Sequence, residues 1–235
     1  MSRKDGRAPD ELRPLTFTPD FVLYPEGSVL IAMGNTKVLC NVTIEMGIPR
    51  WKQAGGWITA EYSLLPRSTH TRTNRETRGL SGRTQEIRRL IGRSLRAAFD
   101  LEALGEHTCI VDCDVIQADG GTRTAAISGG YLALKFALQK LVAAETVSPA
   151  VFLSPVAAIS VGILNGQALL DLNYEEDSRA DVDLNLVMNA DGNFIEIQGT
   201  AEGVPFSKGS LEHLLDLGSI GIKELLKLQQ EAFKG

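Results

Sequence analysis

The sequence predicts an α+β fold, in which mixed, largely antiparallel β-sheets carry helices packed on them. Two observations support this prediction. Pairs of β-rich segments are separated by short turns, and three other segments repeat apolar residues at helical spacing. Along the 235 residues the order is β-rich, α, β, α, β-rich, α. Because hairpins dominate, most neighbouring strands should run antiparallel, and the helices should cover the apolar sheet faces.

The first half begins with a predicted hairpin. The runs "SVLIAMG" and "KVLCNVTIE" are joined by Asn35–Thr36, and "GWITAEYSL" follows as another strand. The next stretch, residues 65–82, is polar, arginine-rich and without an apolar period. It therefore predicts a long exposed loop, and such loops often carry function.

Two helices and one strand complete the first half. Apolar residues recur at helical spacing from Ile87 to Phe99, with Ser81 or Thr84 as the cap and Glu86 in the first turn. The segment "HTCIVDCDVIQ" predicts a strand. A second helix is expected from about Thr124 to Val142.

Two further hairpins and a last helix make up the second half. "PVAAISVGIL" and "QALLDL" flank Asn165–Gly166, and "DVDLNLVMN" and "NFIEIQGTA" flank "ADG". The last helix is expected from near Ser210 to Phe233, with Gly218 and Gly221 weakening its middle. Residues 143–155 connect the halves, but they do not mark a boundary between independent domains.

Composition places the chain among soluble globular proteins. Hydrophobic residues make up 43% and charged residues 23%, and no apolar run is long enough to cross a bilayer. The N-terminus has no apolar segment of the signal-peptide type. Cys40, Cys109 and Cys113 show no metal-ligand spacing, so we expect buried free thiols in a reducing cytosol.

The charges are strongly segregated along the chain. Between Arg67 and Arg96 nine arginines stand against two acids, a net charge of +7 within a chain of net charge −5. Residues 171–202 hold nine acids and one base. This distribution indicates a polyanion site beside a cation site, and the alternative is two solvated faces without function.

The motif "ADGGTRT", residues 118–124, joins a predicted strand to a predicted helix. Glycines let backbone N–H groups approach an anion, a helix N-terminus adds free donors, and Arg123 offers a two-pronged donor for phosphate. In "SGRT", Arg83 stands near the start of the first helix, where it could reach the same anion. The alternative is an ordinary tight turn with an exposed arginine.

The segment "SRADVDLNLVM" alternates polar and apolar residues. If it is a strand, Asp181, Asp183 and Asn185 share one face, and Asp177 just upstream could join them. Carboxylates so close together repel unless solvated or neutralised, and hard oxygen ligands suit Mg²⁺ or Mn²⁺. The alternative is the wet face of an amphipathic strand.

Together these features indicate phosphoryl or nucleotidyl transfer on a nucleic acid. His70, His107 and His213 are widely separated, and no Ser/His/Asp or Cys/His arrangement supplies a nucleophile. The bound anion itself is then the predicted attacking group, and the reaction is phosphorolysis. A metal-dependent hydrolase that uses water is the alternative, but it leaves "GGTRT" without a role.

Seven segments, in order over nearly the whole chain, resemble a known family. They are "DGRAPDELRP", "GSVLIAMGNTKVLCNV", "GWITAEYSLLPRSTHTR", "SGRTQEIRRLIGRSLRAA", "DCDVIQADGGTRTAAISGG", "EEDSRADVDLNLVM" and "IEIQGTAEGVPFS". Together they resemble bacterial ribonuclease PH. The resemblance implies a phosphate-dependent 3′→5′ exoribonuclease and tRNA nucleotidyltransferase of the cytoplasm, which trims tRNA 3′ ends. It also implies a duplicated βαβα fold assembled as a homohexamer, a trimer of dimers.

The resemblance implies one domain, 1–235, with an N-terminal half at 10–142 and a C-terminal half at 155–222. It assigns inorganic phosphate, the co-substrate, to Arg83, Gly121, Thr122 and Arg123. It assigns catalysis and the metal, Mg²⁺ with Mn²⁺ as an option, to Asp177 and Asp183. RNA binding falls on Arg67, Arg72 and Arg75. An inactive RNA-binding ring subunit is the non-enzymatic alternative, and the intact site residues argue against it.

Overall fold

The computed structural model describes residues 3–234 and confirms the mixed α+β fold. The first half contains β1 (Leu15–Pro19), β2 (Gly27–Met33), β3 (Thr36–Met46), β4 (Trp57–Leu64), α1 (Gly82–Arg96), β5 (His107–Gln117) and α2 (Thr122–Ala143). The second half contains β6 (Val156–Leu164), β7 (Gln167–Leu170), α3 (Tyr174–Asp177), β8 (Val182–Asn189), β9 (Phe194–Ala201) and α4 (Lys208–Lys234). A short 3₁₀ helix, Pro149–Val151, lies in the connector between them.

The first sheet has five strands in the order β1-β2-β3-β5-β4. All its neighbours pair antiparallel except β4 and β5, which are parallel because α1 crosses over between them. Alternate residues of each central strand are buried on the face toward the helices, as Cys109, Val111 and Cys113 show in β5.

Helix α2 lies between the two sheets, with β2 and β3 on one side and β6 on the other. It is buried on every side from Thr124 to Leu134, which form a continuous buried run. Its Ser128 Oγ accepts a hydrogen bond from the Ala158 backbone N at 3.0 Å and so joins the helix to β6. One continuous apolar core therefore includes residues of both halves.

The second sheet has four antiparallel strands in the order β7-β6-β8-β9, and α4 packs on β6, β7 and β8. We expected Gly218 and Gly221 to weaken α4, but the helix is continuous. A Cβ at Gly218 would lie 2.2 Å from Leu186 Cδ1, and one at Gly221 would lie 2.7 Å from Leu170 Cδ1. The glycines thus let the helix approach the sheet closely, and this packing offsets their low helix propensity.

Several boundaries differ from the sequence prediction. The turn between β2 and β3 is Gly34–Asn35, α2 begins two residues earlier than expected, and α4 begins at Lys208. Ser81 caps α1 by accepting a hydrogen bond from Thr84 N, and Glu86 lies beyond the first turn. Strand β1 and helix α3 were not predicted, because each is short and lacks a clear apolar period.

The three cysteines are free and buried, as predicted. Among residues 3–234, no helix is both long and apolar enough to cross a membrane.

Candidate functional site

A cavity of about 410 Å³ lies where the two halves of the chain meet. The first half contributes β4, the loop after it, and the starts of α1 and α2. The second half contributes β6, α3, β8 and the end of β9. The polar lining residues are Tyr62, Thr69, His70, Thr71, Arg83, Thr122, Arg123, Ser160, Tyr174, Asp177, Asp183, Asn185 and Glu202. The predicted phosphate residues and the predicted carboxylates thus face one cavity.

The turn between β5 and α2 has the geometry of an anion site. Gly121 is the N-cap of α2 with φ 65°, and within residues 3–234 no side chain caps the first helical turn. The first backbone N–H groups of α2 are therefore available to a ligand, with the positive end of the helix dipole behind them. A Cβ at Gly120 would lie 2.5 Å from the carbonyl oxygen of Leu172, so only glycine fits there.

Side chains around this turn are held in place by hydrogen bonds. The hydroxyls of Thr122 and Tyr62 share a hydrogen bond of 2.8 Å. Arg123 Nη1 donates to Gln198 Oε1 at 2.7 Å and lies 3.6 Å from Glu86 Oε2. Arg83 is exposed in the first turn of α1 and lines the same cavity. Two guanidinium groups therefore flank the start of α2.

Asp177 and Asp183 reach the cavity from different elements. Asp177 ends the short helix α3, whose start is fixed by a capping box between Asn173 and Glu176. Asp183 projects from β8. Burial in the cavity wall raises the pKa of Asp177, which Arg123, Arg83 and Arg13 oppose. Burial and then the charges of Asp177 and Glu202 raise the pKa of Asp183.

These two carboxylates fit a hard divalent cation. Burial raises the pKa of both carboxyls, and neighbouring carboxylates raise that of Asp183 further, so a bound cation would offset both effects. Among the described residues, no group of three or more His, Cys, Asp or Glu side chains is placed to hold a metal ion. A cation with only two protein ligands would keep several coordinated water molecules, as Mg²⁺ commonly does in proteins.

One acid predicted to share this face is absent from the cavity. Asp181 precedes β8, and its Oδ2 accepts a hydrogen bond from Asn165 N at 3.0 Å in the β6–β7 hairpin. The strand begins at Val182, so the predicted alternation does not extend back to Asp181. Asn185 does line the cavity, and Glu202 at the end of β9 joins it.

The arginine-rich loop is ordered at its base and exposed beyond it. Ser68 is 4% exposed, and its carbonyl oxygen accepts from Ala118 N at 2.8 Å, directly before the anion turn. Arg67, Arg72 and Arg75 are exposed and do not line the cavity. The loop therefore presents these three cations outside the site, while Thr69, His70 and Thr71 form part of its wall.

Sequence reasoning missed Tyr62, Ser160 and Glu202. Ser160 is 5% exposed, and its Oγ has no hydrogen-bond partner among the described residues. It stands opposite Asn185 in the β6–β8 register. The single hydroxyl residue in the apolar run "VAAISVGIL" was the only sequence signal that could have indicated Ser160 as a site residue. Nothing in the sequence distinguishes Tyr62 from a core residue.

A free helix N-terminus facing paired carboxylates is typical of enzymes that transfer phosphoryl or nucleotidyl groups. The model of the 3′ exoribonuclease family, domain 1, matches residues 11–138, and that of domain 2 matches residues 154–221. Ribonuclease PH of Bacillus subtilis (strain 168) is 57% identical over 234 residues, covering 97% of this chain and 96% of the relative. Ribonuclease PH of Synechococcus sp. (strain CC9605) is 53% identical, covering 98% and 94%.

Solved structures of low sequence identity share the fold. Rice (Oryza sativa) Rrp46 superposes with a TM-score of 0.80 at 22% identity, covering 97% of this chain and 98% of that one. The Archaeoglobus fulgidus exosome with RNA bound to the active site gives a TM-score of 0.79 at 24% identity, covering 96% and 92%. The chain belongs to the 3′ exoribonuclease family, in its bacterial ribonuclease PH branch.

Proposed function

We propose that this chain is a phosphate-dependent 3′→5′ exoribonuclease that trims tRNA 3′ ends and can add nucleotides to RNA 3′ ends in reverse. The observation that supports this most is the single cavity in which the start of α2 faces Asp177 and Asp183. The first half, 10–142, supplies the phosphate site and the RNA-binding loop. The second half, 155–222, supplies the carboxylates, and the two act as one domain.

Phosphate binds at the start of α2 and acts as the nucleophile. The backbone N–H groups at Gly121 and Thr122 and the guanidinium groups of Arg83 and Arg123 hold it and offset repulsion from the RNA phosphate. A phosphate oxygen attacks the phosphorus of the terminal phosphodiester, and the bond to O3′ of the preceding nucleotide breaks. The products are a nucleoside 5′-diphosphate and an RNA shortened by one nucleotide, whose O3′ takes up a proton.

Asp177 and Asp183 would hold Mg²⁺, with Mn²⁺ as an alternative. When bound, the cation supplies positive charge where negative charge develops on the transferring phosphoryl group and on the leaving oxygen. The two carboxylates would hold it in the same cavity as the proposed phosphate site. Because the reaction exchanges one phosphate bond for another, the same site serves synthesis from nucleoside diphosphates.

Phosphate dependence is the decisive experiment on this function. Purified protein incubated with labelled tRNA precursor and Mg²⁺ should shorten the RNA only when inorganic phosphate is present, and should release nucleoside diphosphates. Chromatography of the products distinguishes diphosphates from monophosphates. Monophosphates formed equally well without phosphate would establish the hydrolytic alternative, and no turnover in either direction would establish an inactive RNA-binding subunit.

Long RNA would bind through the exposed arginine loop. Arg67, Arg72 and Arg75 contact the RNA backbone without reading its sequence, and a ring that gathers several loops raises their effective concentration. We therefore propose the homohexamer, a trimer of dimers, that the family resemblance implies. Exposed apolar side chains in the β1–β2 connection support a subunit contact there, since Leu23 is 85% and Tyr24 92% exposed. Free, buried cysteines support a cytoplasmic location.

Replacing Arg67, Arg72 and Arg75 by alanine should weaken binding of long structured RNA and flatten its salt dependence, because about three phosphate contacts are lost. Phosphorolysis of a very short oligonucleotide should change much less, since the cavity is untouched. The variant Lys208→Ala/Lys223→Ala/Lys227→Ala removes the same charge from α4 and serves as control. Sedimentation establishes the oligomer. A stable monomer with full activity on tRNA would contradict this role of the loop.

A further inference from the structure

The segment before β1 carries three arginines that are almost fully buried. Arg3, Arg7 and Arg13 are 6%, 8% and 5% exposed, and all three meet acids of the second half. Their partners in the second half are Asp171, which is fully buried, and Glu176, which is 7% exposed, and Arg7 also pairs with Asp5. Burying a guanidinium group is costly unless carboxylates and carbonyls accept its hydrogen bonds, and of these three groups only Arg7 has a buried nitrogen, Nη2, without a hydrogen-bond partner among the described residues. The phosphate and RNA assignments above use none of these residues.

Arg13 joins the second half to the anion turn. Its backbone N and Nε donate to Asp171 Oδ2 at 2.8 and 2.9 Å, and its Nη2 donates to Oδ1 at 2.6 Å. Its Nη1 donates to the carbonyl oxygen of Asp119, the residue before Gly120. One rigid, forked side chain thus contacts both the residue that follows β7 and the backbone of the turn.

On the other side of this network, Glu176 holds α3 in place. Arg3 donates from Nε and Nη2 to the two oxygens of Glu176 at 2.8 and 2.7 Å, and Glu176 also closes the α3 capping box. The next residue is Asp177. The turn touches the same helix directly, because Asp119 Oδ1 accepts from Tyr174 N at 3.2 Å.

We propose that Arg13 is a positioning residue for the reaction, which fixes the anion turn relative to the helix that carries Asp177. This inference rests on the proposed function, since it concerns the spacing between the phosphate seat and the metal carboxylates. Arg13 is not among the residues that line the cavity, so we assign it no direct contact with phosphate, RNA or cation. It acts by linking two elements that come from different halves of the chain.

Without Arg13, the anion turn and helix α3 each keep other hydrogen bonds that hold them in place. The turn retains Thr36, whose Oγ1 donates to Gly120 O at 2.6 Å and accepts from Asp119 N at 3.0 Å. Helix α3 retains Arg3 and its capping box. Loss of Arg13 therefore leaves each binding surface intact and lets the two shift against each other. A displacement of about 1 Å between reacting groups is enough to slow a reaction about a hundredfold.

The test is Arg13→Lys, which keeps the positive charge beside Asp171 but cannot reach Asp119 at the same time. We expect kcat to fall between about tenfold and a hundredfold. The phosphate KM should stay within about threefold of wild type, because an intact turn still binds phosphate. The rise in thermal midpoint produced by inorganic phosphate should also be retained, and it is read without turnover. Products should remain nucleoside diphosphates, so hydrolysis by the wild type would instead signal failure of the proposed function.

A second variant covers the case in which Arg13→Lys folds poorly. Asp119→Ala removes the side-chain contacts with Tyr174 N and Asn35 Nδ2, keeps the carbonyl that Arg13 contacts and leaves no buried charge unpaired, so it should fold and lower kcat several-fold at unchanged phosphate KM. If both residues serve one link, the double variant should lose less than the product of the two single losses. Lys4→Gln, which removes an exposed ion pair to Glu175, should behave as wild type.

Three results would overturn the proposal. The first is wild-type kcat in a folded Arg13→Lys protein. The second is a rise in phosphate KM that matches the loss of rate, with loss of the phosphate-induced thermal shift, which would place Arg13 in the phosphate site itself. The third is an equal loss in the Lys4→Gln control.

Discussion

Asp183→Asn should lower kcat by about a thousandfold while RNA binding persists. A metal ion contributes several kcal/mol to stabilising the transition state, and each 1.4 kcal/mol corresponds to a factor of ten in rate. The amide keeps the shape of the side chain, and Val182 and Leu184 still pack into the core. The exposed arginine loop is unchanged, so the affinity for long RNA measured by filter binding should be close to that of wild type.

Stability should move in the opposite direction from activity. Burial and the charges of Asp177 and Glu202 raise the pKa of Asp183, so its ionised form is disfavoured in the folded protein. Asn removes the repulsion from Asp177 and Glu202, so the thermal midpoint without divalent cation should be equal to or above that of wild type. Added Mg²⁺ should raise the midpoint of the wild type more than that of the variant.

Asp181→Asn is the matched control, because its carboxylate bonds to Asn165 N outside the cavity. It should retain activity and lose a little stability. Wild-type rates in a folded Asp183→Asn protein would contradict the catalytic role of Asp183. They would favour the alternative that the polar face of β8 is only solvated.

Arg123→Lys should raise the phosphate requirement despite conserving charge. Gln198 holds the guanidinium of Arg123 beside the start of α2, which leaves its other N–H groups available to phosphate in the proposed site, and a lysine cannot make both contacts. A hydrogen bond to a charged group contributes about 1.5–3 kcal/mol. The expected loss in kcat/KM for phosphate is therefore about tenfold to a hundredfold, measured by varying phosphate at saturating RNA.

Arg93→Lys provides the control for this substitution. Arg93 makes a forked pair with Glu196, donating at 3.1 and 2.7 Å, but it does not line the cavity. Its phosphate requirement should be unchanged. An unchanged requirement in Arg123→Lys as well would place Arg123 outside the phosphate site.

Local signals in the sequence predicted most of the fold. The β6–β7 hairpin follows from Asn165–Gly166, which take φ 50° and 77° as this turn type requires. Strand β5 is bounded as predicted because its alternation is uninterrupted. Helix α3 escaped prediction because four residues cannot show a helical period, and long-range contacts such as Arg3 with Glu176 hold it in place.

The candidate site was predictable where its chemistry is concentrated in short motifs. Arg83, Arg123, Asp177 and Asp183 stand in such motifs, and the structure brings all four to one cavity. Tyr62, Ser160 and Glu202 reach it only through pairing and packing between distant segments. Asp181 was misplaced because strand alternation was assumed to extend one residue before the strand begins. The roles of these residues stay predictions until the variants are measured.

The burial of helix α2 determines how the protein unfolds. Its buried middle is enclosed by both sheets, so its amide protons can exchange with solvent only when the whole core separates. The proposed phosphate site is the first turn of that same helix, so its backbone geometry depends on the helix staying folded, although its own N–H groups face the cavity. Local unfolding of the arginine-rich loop or of the chain ends should leave the proposed phosphate site intact. Loss of the proposed phosphate site and global unfolding should then be one cooperative event. No partly unfolded form that has lost phosphate binding should be populated at equilibrium.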